Sequence, residues 1–73
     1  MKQPQKPYQQ RLRKNVLRLV RQKNLTLEKM AVEADLTSSF VSQVIAGRSS
    51  ISLAALQRIA QVLEVDVTEL LKP

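Results

Sequence analysis

Apolar residues recur along this chain every three or four positions, with no stretch of strict alternation, so the pattern predicts helices throughout and no strand. Leu12, Val16, Leu19 and Val20 form one stripe, which predicts a first helix from about Tyr8 or Gln9 to Lys23. Asn24 stops it, being second only to glycine in tolerating a left-handed cap, and Leu25 packs beneath the turn. Thr26 is placed to cap a second helix that begins at about Leu27, carries Glu28 in its first turn and buries Met30, Ala31 and Ala34. Asp35 breaks that pattern, and Thr37 is a cap for a third helix from about Ser38 to Ala46. Val41, Val44 and Ile45 form its inner side, with Phe40 on the flank, while Ser39, Ser42 and Gln43 project the other way. Gly47, the only glycine, falls where that helix must stop. Ser52 then caps a fourth helix bearing Leu53, Leu56, Ile59, Ala60 and Leu63. Asp66-Val67-Thr68-Glu69 has the form of a capping box and opens a short fifth helix through Leu71.

Two short helices joined by so tight a break, the second with a row of small polar side chains, have the form of a helix-turn-helix. The run LTLEKMAVEADLTSSFVSQVIAGRSSISLAALQRIAQVLEVDVTELL resembles the Cro/CI-type helix-turn-helix regulators, and the resemblance covers roughly Leu12 to Leu71. It implies an all-α, compact five-helix bundle of the lambda-repressor-like type over residues 8–73. It also implies a transcriptional regulator that binds double-stranded DNA, most simply a repressor, acting as a homodimer on a (pseudo)palindromic operator in the bacterial or phage-infected cytoplasm. Carried across position by position, base reading falls on Ser38, Ser39, Ser42 and Gln43, with the Thr37 methyl available to a thymine. Gln43 is the strongest of these, because it alone has the reach and the bidentate amide for an adenine. Thr26, Arg48, Ser49 and Ser50 fall where phosphates would be held.

Charge sharpens this picture. Of the twelve lysines and arginines, Lys2, Lys6, Arg11, Arg13, Lys14, Arg18, Arg21 and Lys23 precede Leu25, a region without a single acid, and the net charge is +6. Basicity gathered in one segment fits a polyanion, although a solvated helix face has the same composition. Arg11, Arg13 and Lys14 are the first-helix residues expected at phosphates. Residues 1–7 are polar, basic and interrupted by proline, and read as a flexible arm that either frays or reaches a groove.

Other chemistries lack their parts. With no cysteine and no histidine there is no thiol chemistry and no ordinary zinc site. The six acids fall at caps, turns and surfaces, and one glycine cannot build a phosphate loop, so neither an enzyme nor a cofactor or small-molecule site is expected. No apolar run approaches a membrane span.

The chain departs from the family's habits in three ways. Leu27 replaces a glutamine that grips the DNA backbone, Asp35 replaces the turn glycine, and Val20 with Ile45 replaces an arginine and glutamate pair. The last exchange predicts that packing has taken the place of an ion pair. The apolar residues Val62, Val65, Val67, Leu70 and Leu71 exceed what one short helix hides, so they are expected to form a dimer interface. The rival reading is a protein-interaction module on the same scaffold, with Leu27 and Val32 as its exposed contacts.

Overall fold

The computed structural model describes residues 7–73. Among these it holds five helices and no strand: α1 (Pro7–Gln22), α2 (Leu27–Glu33), α3 (Ser38–Ile45), α4 (Leu53–Leu63) and α5 (Val67–Leu71). Pro7 is the first helical residue rather than the end of an arm, as suits a side chain with φ preset and no N–H to lose. The other residues of that expected arm lie outside the described ones.

Each of the later helices is started by the side chain that the pattern singled out. Thr26 accepts from the Lys29 N–H at 3.0 Å, Thr37 from Phe40 at 3.1 Å and Ser52 from Ala55 at 3.1 Å. At α5 the reciprocal box does not form. Asp66 accepts from the Thr68 N–H and hydroxyl, both at 2.9 Å, and Glu69 pairs with Lys72 instead. Those two bonds, the backbone one foremost, hold the Asp66 carboxyl below its ordinary range. Its contribution to stability is therefore present at neutral pH and fades as acid takes the carboxyl down through that lowered value.

The first four helices all end in one way. The N–H two or three residues past the end returns to a carbonyl five back, as in Leu25 to Val20, Leu36 to Ala31, Arg48 to Gln43 and Val65 to Ala60. A second bond closes beside it, from Asn24 to Arg21, Asp35 to Val32, Gly47 to Val44 and Glu64 to Gln61. This paired closure requires a left-handed residue at each end, and Asn24, Asp35, Gly47 and Glu64 have φ of 57°, 59°, 78° and 58°. Three of the four were legible from residue type. Glu64 was not, since glutamate has no preference for that conformation. Substituting Gly47 by alanine should cost about 1–2 kcal/mol of stability, the usual strain of a left-handed L-residue. Gly47→Asn should lose less, and urea denaturation giving equal losses for both would contradict the assignment.

These turns fold the helices around α1, which packs against α5, α3 and α2, while α4 closes over α2 and α5. The core joins Leu12, Val16, Leu19 and Val20 to Met30, Ala31 and Ala34, Val41 and Val44, Leu56, Ile59, Ala60 and Leu63, and Leu70. Val20 is buried and Ile45 is half-buried against the same cluster, so both members of the exchanged pair serve apolar packing.

Two apolar expectations change. Leu70 is fully buried (0% exposed), because α5 lies across α1 and α4 and hides it, and it leaves the expected dimer interface. Val62, Val65, Val67 and Leu71 are half-buried at the rim of the same core. Leu27 likewise packs against the core and is no free contact, whereas Val32 stays 74% exposed.

The pattern passed over Asn15, which is 2% exposed within the α1 stripe. Its Nδ2 donates to the Leu70 carbonyl at 3.1 Å and the Lys72 carbonyl at 2.9 Å, while its Oδ1 accepts from Arg18 at 3.2 Å. The side chain thus satisfies carbonyls at the end of α5 that no further helical turn could reach. Among the described residues no buried side-chain nitrogen or oxygen lacks a partner.

Candidate nucleic-acid interface

The geometry of α3 follows from its two ends. The Thr37 cap fixes where the helix begins, and burial of Val41 and Val44 fixes which way it faces. At 100° per residue, Ser39, Ser42 and Gln43 then fall within about 100° of one another on the side away from those valines, with Ser38 at the edge. All four are exposed, as is Thr37, and no described residue covers them. Serine and glutamine offer donors and acceptors in number, so this face can make hydrogen bonds to a flat, edge-on partner.

The loop that follows is shaped by Gly47. Arg48 and Ser50 are exposed, while Ser49 is half-buried and its hydroxyl donates to Gln43 Oε1 at 3.1 Å. Ser49 therefore points at the α3 face rather than outward, a placement that no helical spacing could show. Before α3, the Thr26 oxygen is occupied by capping α2, but the residue is exposed and its hydroxyl proton is not spent on that bond.

The basic residues of α1 are divided by the helix itself. Arg13 lines a groove with Leu27, Ser42, Ile45 and Ala46, which puts it beside the polar face of α3. Lys14 borders a second depression with Gln10, Arg13 and Leu17. Arg11 lies about 160° around the helix from Arg13, on the flank that carries Asn15 and faces α5. The structure thus brings one of the three expected cations to the motif and leaves Arg11 away from it.

Asp35, the negative charge at the turn, has a neighbour that the sequence did not reveal. Arg58 Nη1 of α4 lies 3.9 Å from its carboxylate, with the aspartate side chain 96% exposed. So loose a surface pair adds little stability, about 0–1 kcal/mol, but it offsets part of the charge. Lys23 and Glu64 form the other cross-helix pair, and the lysine's hydrogen bond and charge hold the Glu64 carboxyl below its ordinary range.

A capped, tightly turned helix pair that presents an uncovered polar face from an all-α bundle defines a helix-turn-helix domain. The chain belongs to the Cro/CI-type helix-turn-helix family, whose model matches residues 17–70. That is a family of DNA-binding transcriptional regulators, not of enzymes. No curated protein and no solved structure matches the chain. No helix among the described residues is long and apolar enough to cross a membrane.

Proposed function

We propose that this chain is a sequence-specific regulator, a repressor that seats α3 in the major groove of a (pseudo)palindromic operator as a homodimer, in the cytoplasm. The observation that carries the reading is the uncovered row of Ser38, Ser39, Ser42 and Gln43, held opposite a buried face on a capped helix. Thr37 adds a methyl at the start of the same face, and Thr26, Arg48 and Ser50 flank it where phosphates run. Two copies are needed because one α3 spans only a few base pairs, and the half-buried rim of Val62, Val65, Val67 and Leu71 is the surface through which they meet.

Selection from random duplexes tests the reading directly. A palindromic consensus, bound as two protomers per duplex by sedimentation, is the expected result. A chain that enriches no sequence would exclude base reading, and the exposed Val32 would then favour the protein-interaction alternative.

The division of cations on α1 yields a separate expectation. Arg13→Ala should weaken binding to all duplexes alike and reduce the slope of log affinity against log salt by about 0.9, one phosphate contact's worth. Arg11→Ala should change that slope less. Titrations at several salt concentrations that gave Arg13→Ala the wild-type slope would remove this residue from the interface.

A further inference from the structure

Gln43 is held at both ends by the loop that follows it. Its main-chain carbonyl accepts from the Arg48 N–H at 2.9 Å, and its side-chain Oε1 accepts from the Ser49 hydroxyl at 3.1 Å. The left-handed Gly47 makes both possible, because it turns the chain back over the last turn of α3. A serine hydroxyl has one proton to give. Spent on Gln43, it is unavailable to a phosphate, and what remains on Ser49 is lone pairs that an anionic oxygen would avoid.

We propose that Ser49 is a positioning residue for base recognition, which fixes the orientation of the Gln43 amide so that the domain selects adenine over guanine at one position of each half-site. This rests on the reading of α3 as the base-reading helix. The final torsion of a glutamine is broad and roughly two-fold, so an untethered amide on an exposed face turns over readily. The two purines differ where that turn matters. Adenine presents an acceptor at N7 and a donor at N6, whereas guanine presents acceptors at both N7 and O6. An amide free to turn can offer its NH2 group to the guanine pair. Bonded to Ser49 as found, the amide has the second lone pair of Oε1 open to the adenine N6–H and Nε2 left to donate to N7; turned over, it would give one Nε2–H to Ser49 Oγ and keep a single N–H for the guanine pair. Ser49 itself touches no base.

The test uses the full chain and duplexes that differ at single base pairs, with the wild type, Gln43→Ala, Ser49→Ala, Ser49→Thr and the double alanine variant. Ser49→Ala should reduce the preference for adenine over guanine roughly 2- to 10-fold, the range of one net hydrogen bond, at the same base pair that Gln43→Ala relaxes. The salt slope and thermal midpoint should stay those of the wild type. Ser49→Thr, which keeps the hydroxyl, should restore the preference, and Ser49→Ala should add nothing in the Gln43→Ala background. Uniform weakening across all duplexes with a shallower salt slope would overturn the proposal and return Ser49 to a phosphate contact. A selected base other than adenine at that position, or a Gln43→Ala variant with unchanged selection, would overturn it while α3 remained the reader. A wild type that selects nothing would overturn it together with the function on which it rests.

Discussion

Leu70→Glu will unfold the domain. Leu70 has no exposed surface and closes the core between α1, α4 and α5, so a carboxylate there would have to be buried without a partner or drive α5 off the bundle. Even Leu70→Ala should cost about 2–5 kcal/mol through lost burial and the cavity left behind. A small domain has about 5–15 kcal/mol in total, and the charged variant adds the desolvation of an ion to that loss. Circular dichroism should show Leu70→Glu largely unstructured at room temperature and Leu70→Ala folded with a lower midpoint. A Leu70→Glu variant that melts like the wild type would contradict the placement of α5. Leu71→Glu is the informative contrast: that half-buried side chain lies at the rim, so its substitution should spare the fold and weaken association if copies meet there.

The second large effect is expected at Asn15. Asn15→Leu keeps the volume but removes the donor shared by the Leu70 and Lys72 carbonyls, and a buried carbonyl left unpaired costs about 1–3 kcal/mol. Asn15→Asp should be worse at neutral pH. Arg18 can still serve one carboxylate oxygen, but the other would face two carbonyl oxygens from a buried position. Burial and those dipoles raise the carboxyl pKa in the folded state above its unfolded value. The protonated acid regains a donor, so the variant's stability is greatest below the unfolded pKa and falls as pH rises through the raised one. Denaturant midpoints from pH 3 to 8 should therefore bring Asn15→Asp toward Asn15→Leu in acid and below it at neutrality. Parallel pH profiles for the two variants would show that Asn15 does not face those carbonyls.

What the sequence revealed and what it hid divide along the range of the interactions. Thr26, Thr37, Ser52 and Asp66 could be read as helix starts because a cap bonds only two or three residues ahead. Asn24, Asp35 and Gly47 could be read as stops because few residue types adopt their conformation. The family resemblance then ordered the helices and marked the polar face of α3. Asn15 looked like one more polar residue on a basic helix, since its partners lie 55 and 57 positions away. Leu70 looked like surplus apolar surface for the same reason: whether a short terminal helix covers its own core or another copy depends on what meets it. The link from Ser49 to Gln43 spans six residues across a turn, a separation with no helical meaning. Arg13 and Arg11 were indistinguishable by composition, because which flank of α1 meets α3 and which meets α5 is settled only when the helices pack.

The bond between Asn15 and the end of α5 also bears on the order in which the molecule assembles. Five residues are too few to hold a helix alone, so α5 depends on α1 and α4 to receive it. Its contact with α4 is local, made across the Glu64 turn. Its docking on α1 requires a closure of 55 residues, whose entropy is recovered only when those contacts form. The C-terminal helix is then expected to join last and leave first, and amide exchange faster in α5 than in α2 and α3 would show it. A departure of α5 would uncover the part of the α1 stripe beneath it while α2 and α3 stay in place, so the reading head would outlive the seal on its own core.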